Sequence, residues 1–397
     1  MTPILEPEMS DLELLRWIRR TLHRWPELGH EEYRTSAFLE GVLGGFGLRF
    51  SRPAPTSLAV SLGPSGRPTV AFRADLDAIA RTEETGLPFA SERSGVMHAC
   101  GHDGHTAALV VLARRLARRQ PIDPVLLIFQ QAEEVHPSGA RRVIEGLGPG
   151  TWPADQIYGL HLWPELPEGT IGLRTGVLMP GISGVTATFR AVQGRSHGTR
   201  VDAGAGDALN AVNRFCHMVE RVVPAGRCPT SEQPVVVHIG MAQAGEAPNQ
   251  PAASGSLRAT MRWLDHDARV RCEKDLRQIA EDVTAETGVG VNVCVENDVR
   301  PLVHNAAPAV NNVASVCEEV GLNVAANYPQ VPLGVSDDFG CYLEHVPGAL
   351  FLVGCGTGND QADLHDPKFD FREEALLPVV DVLELLARQD FGSAVNP

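Results

Sequence analysis

Short apolar runs alternate with amphipathic helical patterns as far as Leu160, and this alternation constrains the fold more strongly than any other feature of the sequence. The pattern is typical of an α/β domain with a mostly parallel sheet. Each apolar run is short and nearly continuous, as expected for a strand that is covered on both faces. The predicted strands are 69–72, 125–129, 157–160 and, far downstream, 349–353.

The pattern changes between residues 184 and 301, where apolar and polar residues alternate as in half-exposed antiparallel strands. Helical patterns at 207–222 and 267–287 interrupt these strands. The order is that of a β-α-β-β-α-β unit, a four-stranded antiparallel sheet with two helices on one face. We therefore expect an inserted α+β domain at 184–301, and an outer α/β domain composed of 1–183 and 302–397.

The charge of the chain argues against polyanionic partners. The sequence has 34 Lys+Arg and 49 Asp+Glu residues, a formal net charge of -15. This excess of acids disfavours nucleic acid and anionic membranes, and favours a small molecule or peptide as ligand. No apolar run is long enough to span a bilayer, and no basic stretch followed by an apolar one begins the chain, so we expect a cytoplasmic protein.

Acidic residues or histidines follow each predicted inner strand. They are Asp75 and Asp77, Glu133 and Glu134, His161, and Asp363 and His365. Because ligands of open α/β sheets bind outside the carboxyl ends of the strands, we expect these side chains to converge. Carboxylates and imidazoles together predict a metal site.

The densest cluster of metal-binding residue types is Met-His-Ala-Cys-Gly-His-Asp-Gly-His at 97–105, directly before a helical pattern. Cys100 and His102 are separated by one glycine and can face the same way from an extended turn. A thiolate with an imidazole suits zinc or another borderline first-row metal. The alternative is a histidine-rich loop that only caps the helix, and Asp103 is a candidate cap under either interpretation.

Glu133 and Glu134 are adjacent carboxylates just beyond a buried strand, where they repel each other unless a cation or a proton intervenes. With bound metal, one carboxylate can serve as a ligand while its neighbour takes a proton from a water molecule. A solvated acidic loop is the alternative. The candidate ligands are Cys100, His102, Glu134, His161 and His365. Five side chains are too many for one tetrahedral ion and suit two ions.

The motifs in this order resemble those of the M20 family of metallopeptidases and amidohydrolases, in particular the subfamily of bacterial aminoacylases, hippurate hydrolases and plant auxin-conjugate hydrolases. They span nearly the whole chain. The matching pieces are Arg-Ala-Asp-Leu-Asp-Ala at 73–78, Met-His-Ala-Cys-Gly-His-Asp-Gly-His-Thr-Ala at 97–107, Phe-Gln-Gln-Ala-Glu-Glu at 129–134, Gly-Leu-His at 159–161, Ser-Asp-Asp-Phe at 336–339 and Leu-His-Asp-Pro at 364–367.

The resemblance implies a binuclear metal site with Glu133 as general base. The implied ligands are Cys100, His102, Glu134, His161 and His365. The inserted domain is implied to be a lid that closes over the substrate and mediates homodimerisation. Within it, His197 is the implied oxyanion-stabilising residue, while Asn249 and Arg262 are implied to hold the substrate. The alternatives are a surface role for His197 and a solvated strand position for Arg262.

The lid motif departs from the family pattern. It reads Gly-Arg-Ser-His-Gly-Thr-Arg-Val-Asp at 194–202, without the family's second histidine and with two additional arginines. Ala80 stands where the family usually has proline, and Asn-Gln-Pro-Ala at 249–252 is a weak form of the family's Asn-Val-Ile-Pro. These departures affect substrate choice rather than the metal site.

The sequence thus predicts a metal-dependent amidohydrolase that cleaves the amide bond of N-acyl amino acids or related small amides and dipeptides. Zn or Mn are the expected metals, with Co or Ni as further candidates. The alternatives are a small-peptide carboxypeptidase or dipeptidase of the same fold, and a non-catalytic metal- or peptide-binding protein. A serine hydrolase elbow at 194–198 is rejected, because no helical pattern follows it.

Overall fold

The chain forms two compact units. The structure, a computed structural model, describes residues 9–148, 151–191, 206–223, 228–296, 300–358 and 361–389. The first unit comprises Met1–Leu178, Val303–Gln330 and Asp337–Pro397, and the inserted unit comprises Met179–Leu302 and Val331–Ser336. The sequence-based borders at 183/184 and 301/302 stay predictions.

Helices and strands alternate through most of the chain. The helices are α1 (Asp11–Arg24), α2 (Tyr33–Gly45), α3 (His102–Arg118), α4 (Gly139–Gly146), α5 (Ala208–Val222), α6 (His266–Thr287), α7 (Ala307–Val320), α8 (Gly340–Leu343) and α9 (Leu377–Arg388), with a 3-10 turn at Glu373–Leu376. The strands are β1 (Leu58–Leu62), β2 (Val70–Asp75), β3 (Val125–Gln130), β4 (Gln156–Pro167), β5 (Thr170–Leu173), β6 (Gly176–Met179), β7 (Gly181–Ala191), β8 (Val235–Ala244), β9 (Ser254–Trp263), β10 (Val289–Val295), β11 (Val303–Asn305), β12 (Asn323–Ala326) and β13 (Gly348–Gly356).

The first unit is built on a seven-stranded sheet in the order β1-β3-β2-β4-β13-β5-β12. The central pairs β3/β2, β2/β4 and β4/β13 are parallel, whereas β1/β3 and β13/β5 are antiparallel. Strands β2 and β3 are buried along their whole length. Their nearly continuous apolar sequences are explained by this burial on both faces.

Helix α3 brings the histidine-rich segment to the sheet. Its side chains are buried almost throughout, and it contacts both α1 and α9. The helix begins after Gly101, whose φ of +83° lies in the left-handed region. A Cβ at this position would also lie 2.7 Å from Cδ1 of Leu162, so both backbone conformation and space favour glycine between Cys100 and His102.

The inserted unit has its own sheet and core. Its four strands are ordered β10-β7-β9-β8 and every pair is antiparallel. Along β7 buried residues alternate with more exposed ones, and Val185, Ala187 and Phe189 contribute to a core shared with α5 and α6. The chain order is β7-α5-β8-β9-α6-β10, as the sequence predicts.

The predicted fold class, a mostly parallel α/β domain with an inserted α+β domain, is therefore confirmed. Across the described ranges, the helices are too short or too polar to traverse a lipid bilayer.

Candidate metal centre

The predicted metal ligands converge beside the N-terminus of α3. Ligand atoms of Cys100, His102 and His161 lie within 4.8 Å of one another, and so do those of Cys100, Glu134 and His365. Cys100 belongs to both groups, so the five side chains form two overlapping sets rather than one. Two adjacent ions, each with its own set, fit this arrangement better than a single ion.

The two buried histidines present equivalent ring nitrogens to this space. Nδ1 of His102 donates to the carbonyl oxygen of Asp77 at 2.9 Å, and Nδ1 of His161 donates to that of Leu162 at 2.8 Å. Because carbonyl oxygens only accept, each Nε2 is left to act as a ligand, and such second contacts are typical of metal-binding histidines. Nε2 of His161 lies 3.4 Å from Sγ of Cys100, and Nε2 of His102 is buried without a hydrogen-bond partner among the described residues.

Burial adjusts the protonation of these groups. It lowers the pKa of His161 to about 4, so the ring is neutral at pH 7 and its lone pair is available. Burial and the nearby Glu134 carboxylate raise the pKa of the Cys100 thiol well above its usual range. A thiolate at this position therefore requires a cation beside it, as a divalent metal provides.

Asp77 fixes the pair of glutamates. Its two carboxylate oxygens accept the backbone N–H groups of Glu133 at 3.0 Å and Glu134 at 2.9 Å. Oε1 of Glu134 in turn accepts a hydrogen bond from Nε2 of His365 at 3.0 Å. Ligand atoms of His102, Glu133 and Glu134 also lie within 4.8 Å of one another. The adjacent carboxylates thus face the same space from two consecutive residues.

Arg73, Asp75 and His105 form a layer behind the predicted ligands; Asp75 was expected to converge with them, whereas no role was predicted for Arg73 or His105. Nδ1 of His105 donates to Asp75 Oδ1 at 2.8 Å, and its Nε2 accepts the N–H of Leu162 at 3.0 Å. With both ring nitrogens engaged, His105 is a supporting residue rather than a ligand. A signal existed for Arg73, because it alternates with Asp75 along β2 and so lies on the same face of that strand.

Six acidic residues of the described ranges gather around this space. The acidic residues are Asp75, Asp77, Glu133, Glu134, Asp337 and Asp338. The buried guanidinium of Arg73 contacts Asp75 at 2.8 Å, Asp338 at 2.7 Å and Asp337 at 3.3 Å. Buried carboxylates are costly unless cations lie beside them, and a set of carboxylates, imidazoles and a thiolate suits divalent metal ions. The residues therefore fit a pair of divalent cations.

The remaining predicted positions belong to the inserted unit. Asn249 lies in an exposed turn between β8 and β9. Arg262 is half-buried on β9, opposite Ile182 of β7 and Val236 of β8. His197 and the segment 194–202 lie outside the described residues.

Comparisons with known proteins support the same chemistry. The model of peptidase family M20/M25/M40 matches residues 71–389. An N-acetyldiaminopimelate deacetylase from Leuconostoc mesenteroides is 32% identical over 378 residues, covering 94% of this chain and 96% of the relative. The Streptococcus thermophilus enzyme of the same name is 33% identical over 371 residues, covering 92% and 95%.

Solved structures show the same architecture. The Bacillus subtilis YxeP protein, described as a dinuclear metal binding peptidase from the M20 family, superposes with a TM-score of 0.80 at 28% identity, over 95% of this chain and 97% of that chain. A protein from methicillin-resistant Staphylococcus aureus superposes with a TM-score of 0.86 at 29% identity, over 96% and 97%.

Proposed function

The chain belongs to peptidase family M20/M25/M40, and we propose on this basis that it hydrolyses N-acyl amino acids, with N-acetyl compounds as the first substrates to test. The predicted family and the predicted class of enzyme, a metal-dependent amidohydrolase acting on C–N bonds, are confirmed by the relatives. The deacetylase names of those relatives motivate the choice of an acetyl group. The departures in the lid motif concern which amino acid the acyl group is attached to.

One observation carries the proposal. Glu133 and Glu134 are consecutive, their backbone N–H groups donate to the same Asp77 carboxylate, and their carboxylates lie with His102 in a group of candidate ligand atoms. A binding protein needs one ligand at this point, whereas hydrolysis needs a ligand and a proton acceptor side by side. We assign Glu134 as the ligand and Glu133 as the base.

The chemistry divides between metal and protein. Two divalent ions polarise the amide carbonyl and lower the pKa of the attacking water when they are bound. Glu133 removes a proton from that water as it attacks the carbonyl carbon, and delivers the proton to the amine nitrogen as the C–N bond breaks. A carboxylic acid and a free amine are the products. His197 is proposed to stabilise the oxyanion from the lid.

The proposed ligands are Cys100, His102, Glu134, His161 and His365. A thiolate among imidazoles and a carboxylate favours Zn by softness, and Mn, Co or Ni remain candidates for the working metal. Asn249 and Arg262 are proposed to hold the substrate, Arg262 through a bidentate contact with a carboxylate. A homodimer through the inserted unit and a cytoplasmic location are also proposed; the exposed edge strand β8 offers a surface for pairing.

The test uses purified protein that has been chelated and then resupplied with Zn or Mn. N-acetyl amino acids, N-benzoyl amino acids and dipeptides are offered in parallel, and amine release is measured. We expect release from an N-acetyl amino acid that disappears on chelation and returns with metal. Preferential cleavage of dipeptides would assign the protein as a dipeptidase instead, and stoichiometric metal binding with no cleavage would favour a binding protein.

A further inference from the structure

The loop that carries Glu133 and Glu134 has no regular secondary structure of its own. It connects the end of β3 at Gln130 to the start of α4 at Gly139. Ala132, directly before Glu133, has a φ of +52°, a left-handed conformation that is unfavourable for a residue with a side chain. Such a backbone persists only where its surroundings hold it.

The buried carboxylate of Glu32 holds Ala132 in place. Its Oε1 accepts the backbone N–H of Ala132 at 2.7 Å, and its Oε2 accepts the hydroxyl of Thr56 at 2.7 Å. Glu32 has no exposed surface. Burial and the neighbouring Asp77 carboxylate raise the pKa of Glu32 to about 7, so this contact is made by a group whose ionisation is costly.

The residues before Glu32 hold the same loop at further points. Nδ1 of His30 accepts a hydrogen bond from Nε2 of Gln131 at 3.0 Å. Nε2 of His30 donates to the carbonyl oxygen of Pro137 at 2.9 Å. Gly29 lies so close that a Cβ would be 2.4 Å from Cγ2 of Val135. Gly29, His30 and Glu32, here called the clamp, therefore contact the loop from residue 131 to residue 137.

We propose that Glu32 is a positioning residue for the hydrolytic reaction: by fixing the backbone of Ala132, it aims the carboxylate of Glu133 at the attacking water. This inference rests on the proposed function. Glu32 acts through Ala132 rather than on the substrate. Since misplacing a reacting group by about 1 Å can cost on the order of 100-fold in rate, a weakened clamp should lower kcat more than it changes KM.

Two substitutions separate contact from charge. Glu32→Asp keeps the charge but withdraws the carboxylate by one methylene from Ala132, whereas Glu32→Gln keeps an acceptor oxygen at the same length. Glu31→Ala is the matched control, because the exposed Glu31 carboxylate accepts from Nη2 of Arg93 at 3.3 Å rather than from the backbone of the loop. On metal-loaded protein, we expect Glu32→Asp to lower kcat about 10- to 100-fold with KM and metal content unchanged, and Glu32→Gln to stay within about threefold of wild type.

Hydrogen–deuterium exchange of a peptide covering residues 130–134 gives a readout that does not depend on turnover. We expect faster exchange in Glu32→Asp and wild-type exchange in Glu32→Gln and Glu31→Ala. An active Glu32→Asp enzyme beside an impaired Glu32→Gln enzyme would overturn the inference, since charge rather than contact would then matter. Unchanged exchange in Glu32→Asp would overturn it as well. A wild-type protein without turnover would reject the proposed function, while the exchange data would still decide the role of Glu32.

Discussion

His102 and Asp103 are neighbours in the first turn of α3 and both are buried, yet their side chains belong to two different polar clusters. The Asp103 cluster contains Asp103, Arg19, His23, Glu83 and Glu373. The His102 cluster contains His102, Asp75, Asp77, Glu133 and Glu134. In the first, each carboxylate contacts a basic side chain, namely Arg19, Arg20 or His23. In the second, the side chains gather around a group of candidate metal-ligand atoms.

In the Asp103 cluster, each charge has a protein partner. Oδ2 of Asp103 accepts from Nε of Arg19 at 3.0 Å and from Nδ1 of His23 at 2.8 Å. Burial acts against ionisation, but Arg19 and His23 hold the pKa of Asp103 below its usual range. Such a cluster contributes to the structure of the folded chain. In the His102 cluster the buried Nε2 of His102 lacks a described hydrogen-bond partner, and a metal ion bound there would supply a partner.

The largest expected effect separates the clusters by activity. Glu133→Gln removes the proposed base and keeps the size of the side chain, so we expect kcat to fall by about 100- to 10,000-fold with metal content unchanged. Turnover and metal content of the same preparation provide the measurement. Glu318→Gln, at an exposed position of α7, is the control. Substantial turnover in Glu133→Gln would move the base to another residue.

The second effect separates the clusters by stability. Arg19→Ala leaves Asp103 buried without its guanidinium, which we expect to lower the free energy of unfolding by about 3–5 kcal/mol. Arg20→Ala is the matched control: Arg20 also contacts Glu373, at 2.7 Å, but its side chain is 45% exposed, so about 0–1 kcal/mol is expected. Denaturant titration measures both. Equal losses in the two variants would contradict a structural role for the Asp103 cluster.

The sequence could predict where the polar residues gather but not which cluster each one joins. The strand ends and the Cys100–His102 turn follow from local patterns, and in the structure the proposed ligands lie near one another at this edge of the sheet. Asp103 was a candidate helix cap, whereas the structure has Gly101 at the cap and places Asp103 against Arg19 of α1. That contact spans 84 residues of sequence, so no local pattern encodes it.

Local sequence patterns also could not predict the roles of the individual histidines. His102 and His105 are three residues apart in one motif, yet the ring of His105 is occupied by Asp75 and Leu162. His161 was expected just after a strand, but β4 continues to Pro167, because its parallel pairing with β13 extends beyond the apolar run. Contacts between residues far apart in the sequence determine both the role of His105 and the end of β4.

A third effect concerns the ionisation of Glu32, because burial and the Asp77 carboxylate raise its pKa. The pKa of Glu32 rises from 4.5 to about 7 on folding, so below about pH 4.5 it is protonated in both states, and above pH 7 the folded state bears the full cost of its charge. The free energy of unfolding of wild type minus that of Glu32→Gln should therefore fall by roughly 3 kcal/mol between pH 4.5 and pH 8. Denaturant titrations at several pH values measure this difference. A flat difference for Glu32→Gln would mean that burial and Asp77 do not raise the pKa of Glu32.

The smallest effect tests whether the His102 cluster exists for a cation. Asp77→Asn keeps the shape of the side chain but places an NH₂ group against one of the two N–H donors of Glu133 and Glu134. Because groups behind the ligands orient them, we expect metal affinity to fall about 10- to 100-fold, measured by competition with a chelator, while Asp267→Asn at an exposed position of α6 has no effect. The opposite outcome is that Asp77→Asn lowers the stability of the metal-free protein as much as Arg19→Ala does and leaves metal affinity intact. Both clusters would then have a structural role, and the contrast between them would be wrong. Loss of affinity without comparable loss of stability would establish that adjacent residues of one helix turn serve the fold on one side and the metal on the other.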